Sequence, residues 1–193
     1  IRNDGTLTIR DSSEAKSGKI TNTVVGEPGQ DGCYGLIDNY GTLTIESGNF
    51  VDVAHGNASS IRNRKTATLV INGGTFINTA DDSAKGANFQ GAGNAFVYSD
   101  GKNVLVTGGT FTMEKIKYTP AFKIVYADSL SPGKCTIENA TIRTYQSSAL
   151  EAAGGTVTIK DADIQVAEAN SYYGTALAVS NRGVINVEGG TFT

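Results

Sequence analysis

Apolar and polar residues alternate along this chain in short bursts, and the bursts are near-copies of one another. The stretch Gly41 to Phe50, reading Gly-Thr-Leu-Thr-Ile-Glu-Ser-Gly-Asn-Phe, shows the pattern most plainly. Leu43 and Ile45 form one set of a period-two alternation, and Thr42, Thr44 and Glu46 form the other. That period predicts a strand with one buried face. The second aliphatic of each copy serves as an anchor: Ile9, Ile45, Ile71, Val106, Ile137, Ile159 and Val187. Two residues earlier stand Leu7, Leu43, Leu69, Val104, Cys135, Val157 and Ile185. Five residues later, in six of the seven copies, stand Phe50, Phe76, Phe111, Ile142, Ile164 and Phe192. In the first copy the same offset falls on Glu14, so that copy fails the pattern and matches the template least well after Ile9. Small residues fill the corner between, with Gly-Gly-Thr-Phe at Gly73, Gly108 and Gly189. Glycine there supplies the positive φ that a sharp bend needs.

The offsets within a copy are fixed, while successive anchors lie 22 to 36 residues apart. A fixed strand–corner–strand unit with variable connections predicts a solenoid. A third strand is expected just before each template, with copies in Gly35 to Asn39, Ser60 to Asn63, Ala95 to Ser99 and Ala176 to Asn181, and the end of another at Ile1 to Asn3. Asn3, Asn39, Asn63 and Asn181 fall at one turn, with Ser99 in their place in its copy. Stacked asparagines bond to one another along such an axis and tolerate left-handed backbone. The expectation is an all-β chain: a right-handed single-stranded parallel β-helix of about seven rungs, each of three short strands, spanning residues 1–193 as one domain.

The repeats resemble the right-handed parallel β-helix of the pectin-lyase-like superfamily. More narrowly, Gly-Thr-Leu-Thr-Ile and Gly-Gly-Thr-Phe are similar to repeats of large bacterial surface and adhesin-like proteins. The resemblance covers nearly the whole chain, and its matching residues are scaffold positions. It implies fold, and leaves function to be argued from sites.

Composition changes this picture little. A net charge of -3 leaves no basic footprint for nucleic acid. No apolar run approaches the roughly 20 residues of a membrane span, so no membrane insertion is expected. The chain starts at Ile1 and stops inside a repeat, which predicts a segment of a longer secreted or cell-surface protein with flanking domains of the same chain. Cys135 takes the Leu43 position in its copy and is expected in the core. Cys33 lies about three rungs away, beyond the roughly 7 Å reach of a disulfide, so two free thiols are expected.

The long connections mostly follow the Phe50-type strand and precede the third strand. Insertions at one corner of a solenoid emerge along one side, and loops on a rigid scaffold carry function. That side would gather His55, Asp81, Asp82, Phe89, Tyr118, Tyr172 and Tyr173. Tyr118, Tyr172 and Tyr173 offer ring faces for a sugar, and Asp81 and Asp82 offer acceptors for its hydroxyls. Read as an enzyme, a polysaccharide hydrolase needs two placed carboxylates, for which Asp81 and Asp82, with His55, are the candidates. Hydrolases of the superfamily carry a double aspartate followed by Gly-His-Gly and Arg-x-Lys. Here His55-Gly56 precedes the aspartates and no basic motif follows. The outward ladder Arg10, Glu46, Asn72, Thr107, Glu138, Lys160, Glu188 stacks no two acids on adjacent rungs, so no lyase-type Ca²⁺ site is expected. No cofactor or catalytic metal is expected; a structural Ca²⁺ in a loop is left open. The leading expectation is a non-enzymatic extracellular bacterial surface or adhesin-like module that contacts carbohydrate or a host surface. The alternatives are a polysaccharide lyase or glycoside hydrolase, and a structural stalk or fibre.

Overall fold

The computed structural model describes residues 1–23, 35–53, 59–81, 95–117, 119–125, 132–167 and 174–193; of Asp81 only the backbone is described. The described chain is all-β. It contains no helix, and so none long and apolar enough to cross a membrane. Its strands form two parallel sheets, an arrangement consistent with a parallel β-solenoid. The shorter sheet has seven strands: Arg2–Asn3, Ile37–Asn39, Ile61–Asn63, Val97–Ser99, Phe122–Val125, Leu150–Ala153 and Leu177–Ser180. Each pairs with the next in this chain order. An isolated bridge from Val125 to Gly154 is antiparallel.

The longer sheet contains the template. Its first stack joins Thr6–Ile9, Thr42–Ile45, Thr68–Ile71, Asn103–Val106, Lys134–Tyr145, Thr156–Ala167 and Val184–Val187. Every anchor meets the next in register: Ile9 opposite Ile45, then Ile71, Val106, Ile137, Ile159 and Val187. The residues two earlier align likewise, from Leu7 to Ile185. Leu43, Ile45, Leu69, Ile71, Val106, Ile137, Val157 and Ile159 are wholly buried, so the alternation does select one inward face. Cys135 lies buried among them as a free thiol, and burial pushes its pKa up to about 12. Cys33 lies outside the described residues.

The second stack carries the aromatic column. Phe50 and Phe76 stack at 4.8 Å between ring centroids, and Phe76 and Phe111 at 4.5 Å. Ile142, Ile164 and Phe192 continue the column in register. Aromatic pairs of this kind add about 0.5–1.5 kcal/mol beyond the burial of their area. The corner before the column is tight: Gly74 has φ 115°, and a Cβ on it would come 3.0 Å from the Gly48 carbonyl oxygen of the preceding rung. In the rung of Ile137 the positive φ moves to Asn139, at 51°, next to Ala140.

Four expectations are corrected here. First, Glu14 does not mark a missing strand. Lys19–Thr21 pairs with Asn49–Val51 and puts Ile20 opposite Phe50. Residues between Ile9 and Gly18 bulge outward, closed by Asp11, which accepts from the Ser13 and Gly18 amides at 2.9 and 2.8 Å. Second, the two template stacks belong to one sheet. Lys134–Tyr145 and Thr156–Ala167 are each 12 residues long and carry the ladder round the corner, where Asn139-Ala140 and Asp161-Ala162 replace the glycine pair. Third, Phe122–Val125 and Leu150–Ala153 supply strands that the alternation did not disclose, because Ala121, Ala149, Ala152 and Ala153 blur it.

Fourth, the asparagine ladder exists but is shorter and differently built. Asn3 Nδ2 donates to Asn39 Oδ1 at 2.7 Å, Asn39 Nδ2 to Asn63 Oδ1 at 2.8 Å, and Asn63 Nδ2 to Ser99 Oγ at 3.1 Å. The side-chain oxygens of Asn3, Asn39 and Ser99 also accept the amide of a glycine two residues on: Gly5, Gly41 and Gly101. The position then passes to Ile124, Ala152 and Val179. Asn181 lies two residues beyond it. It has φ 51°, whereas none of the ladder asparagines has a positive φ. The ladder therefore rests on side-chain bonding and not on left-handed backbone.

Candidate functional site

The shorter sheet has two faces. Its inner face holds Ile37, Asn39, Ile61, Asn63, Val97 and Ser99, all buried. Period two sends the residues between them outward. In register these are Arg2, Asp38, Arg62, Tyr98, Lys123, Glu151 and Ala178. The residues following the ladder, Asp4, Tyr40, Arg64 and Asp100, flank this row. No other outward row of the described residues is so dense in charge and aromatic surface. The first template row is mostly threonine, from Thr8 to Asn186. The second is self-paired, with Lys160 to Glu138 at 2.7 Å, Arg10 to Glu46 at 3.6 Å and Thr107 donating to Asn72 at 2.9 Å.

Neighbouring rungs organise the strip. Arg64 grips Asp38 with Nε on Oδ1 and Nη2 on Oδ2, the second bond 2.8 Å long. Burial of the Asp38 carboxyl alone would raise its pKa; the Arg64 hydrogen bonds and charge, with Tyr40 and Arg62, outweigh that and hold it below the usual range. Arg2 pairs with Asp4 at 2.8 Å, and Lys123 with Glu151 at 3.2 Å. Tyr40 lies against two guanidinium groups, Arg2 at 4.7 Å and Arg64 at 5.2 Å from its ring centre. Arg62 lies 5.2 Å from the ring centre of Tyr98. Burial, followed by the charge of Asp100, raises the Tyr98 pKa, so its hydroxyl stays protonated and can donate.

A cavity of about 280 Å³ opens on this strip near the first rungs. Arg2, Gly35, Ile37, Asp38, Ser59 and Arg62 line it, with the half-exposed Ile1 as its apolar wall. Ser59 is 7% exposed, and its buried Oγ has no hydrogen-bond partner among the described residues. A Cβ on Gly35 would fall 1.8 Å from the Ser59 carbonyl oxygen, so only glycine lets the two segments approach.

A second buried polar row runs along another corner. Asn22 Nδ2 donates to Asp52 Oδ1 at 2.9 Å, and Asp52 lies in register with Asn78. Asn78 Oδ1 accepts the Ala80 amide at 2.9 Å. Asp52 and Asn78 are buried, and this row holds the chain where it leaves the aromatic column.

Of the residues singled out from the sequence, Asp81 closes the strand Thr75–Asp81 and pairs in register with Lys115. Its side chain, and His55, Asp82, Phe89, Tyr118, Tyr172 and Tyr173, lie outside the described residues. Asp163 lies 3.7 Å from Arg143 and accepts a hydrogen bond from Gln165 at 3.0 Å. Among the described residues no group of three His, Cys, Asp or Glu side chains is placed to hold a metal ion. The outward row of the shorter sheet was missed in the sequence. Its signal is the residue before each ladder asparagine: Arg2, Asp38, Arg62 and, before Ser99, Tyr98. No family model, curated protein or solved structure matches the chain.

Proposed function

We propose that the chain is a non-enzymatic, extracellular bacterial surface module: a right-handed parallel β-helix of about seven rungs that binds glycan or a host surface along one side. The handedness follows from the strong preference of parallel β crossovers for the right hand. The observation that carries the binding reading is the outward row Arg2, Asp38, Arg62, Tyr98, Lys123 and Glu151 with its polar cavity. Donors interspersed with the acceptors Asp38 and Glu151 at about 4.8 Å spacing suit a polyhydroxylated chain laid along the axis. Such contact is shallow and multivalent, and its strength grows with the number of rungs engaged.

The test is a panel of plant, microbial and host polysaccharides, read both for retention of the protein and for released oligosaccharides by mass spectrometry. Retention on at least one glycan without new products is the expected result. New unsaturated or reducing ends would overturn the reading in favour of a polysaccharide lyase or hydrolase. No retention and no products would leave a stalk or fibre.

A further inference from the structure

We propose that the cavity on the outer face of the shorter sheet binds a single neutral sugar ring, gripped through adjacent hydroxyls by Asp38, Ser59 and Arg62. This rests on the glycan-binding reading and gives it a subsite. Size comes first: about 280 Å³ falls just below the roughly 300–1,000 Å³ of small-molecule sites. It admits one ring and not a chain segment.

The order of charges then selects the chemistry. Arg2, Asp38 and Arg62 occupy one register position on three successive strands. A compact anion facing this row meets a carboxylate between the two guanidinium groups. A vicinal diol offers a donor and an acceptor side by side, so one hydroxyl can give to Asp38 while its neighbour takes from Arg62. Asp38 is prepared for that role. Arg64 bonds each carboxylate oxygen once, which fixes the rotamer and leaves acceptor capacity on both oxygens. Arg62 is steadied against the Tyr98 ring.

Ser59 supplies the independent sign of a missing ligand. Buried hydroxyls almost always find a partner, yet Ser59, a cavity-lining residue 7% exposed, has a buried Oγ with none among the described residues. A sugar hydroxyl would satisfy it as donor or acceptor. The half-exposed Ile1 offers apolar surface to the C–H face of the ring.

The experiment titrates the ¹⁵N-labelled chain with methyl glycosides of glucose, galactose, mannose and N-acetylglucosamine, and separately with methyl glucuronide and sodium sulfate. The backbone amides of Gly35, Asp38, Ser59 and Arg62 are followed. At least one neutral glycoside should shift these amides saturably, and sulfate should not. Ser59→Ala should weaken that binding about fivefold, the worth of one hydrogen bond, and leave Tm unchanged because the free protein has no bond there to lose. Asp38→Asn should weaken binding further. Shifts from sulfate or glucuronide alone would overturn the proposal in favour of an anion site. Unchanged affinity in Ser59→Ala, or a lowered Tm, would overturn it too. Polysaccharide retention without any of these shifts would refute the subsite and leave glycan binding standing; failure of both would refute both.

Discussion

Asn39→Ala should remove several kcal/mol of stability. Asn39 is fully buried and makes four bonds. Its Nδ2 donates to Asn63 Oδ1 at 2.8 Å and to the Thr68 carbonyl at 3.0 Å; its Oδ1 accepts from Asn3 Nδ2 at 2.7 Å and from the Gly41 amide at 3.3 Å. Truncation strands Asn63 Oδ1 and the Gly41 amide, while Asn3 Nδ2 keeps its bond to the Thr42 carbonyl at 3.0 Å. Two orphaned groups, one buried and one part-buried, at about 1–3 kcal/mol each give roughly 2–6 kcal/mol in all. That is a large share of the roughly 5–15 kcal/mol by which a domain is stable. Ser99→Ala is the internal control. It strands mainly the Gly101 amide, since Asn63 Nδ2 retains the Ala67 carbonyl at 3.3 Å, and should cost about 1–2 kcal/mol. The assay is urea unfolding followed by far-UV circular dichroism and by tyrosine fluorescence, as the chain has no tryptophan. Coincident transitions are needed before free energies are compared, because long repeat arrays can lose two-state behaviour. A double-mutant cycle should find coupling between Asn39 and Asn63, which touch, and little between Asn3 and Asn63, which do not. An Asn39→Ala cost within 1 kcal/mol of zero, or no greater than that of Ser99→Ala, would refute the ladder as a stabilising device.

Gly41→Ala should destabilise by about 1–3 kcal/mol or more, since its Cβ would lie 2.0 Å from the Gly5 carbonyl oxygen, whereas Gly5→Ala meets nothing within 4 Å and should be nearly silent in the same urea series. In a Cys33→Ser background the Cys135 thiol should resist aromatic disulfide reagents until the protein unfolds. Its proton is held more tightly folded, with a pKa of about 12, than unfolded, near 8.5; stability should therefore fall as pH rises above about 8.5, and Cys135→Ala should abolish that slope. The lowered pKa of Asp38 has the opposite sign. The stability it contributes is full above about 3.9, the unfolded value, and is lost as pH falls through the folded value; Asp38→Asn should flatten that part of the acid-unfolding profile.

The sequence by itself determined the register of the inner face. Leu43 and Ile45, and their counterparts from Leu7 to Val187, recur with Phe50-type residues at fixed short offsets. A one-residue slip would turn every one of them to solvent, so local pattern is enough. The burial of Cys135 and the start of the asparagine ladder followed from the same arithmetic. Tertiary structure alone decided what depends on the residues between copies. Ile20 takes the place expected of Glu14 because the bulge after Ile9 lengthens that offset, and spacing cannot foretell a bulge. Asn181 misses the ladder because the last strand of the shorter sheet begins two residues earlier than its sequence position implied. Arg64 meets Asp38, Arg2 meets Tyr40, and Ser59 lies beside Gly35 across separations of 24 to 38 residues. Outward residues obey no inside–outside rule that would order them in advance. Their partners are set by which rungs become neighbours, and the binding strip emerges only once the stack has formed.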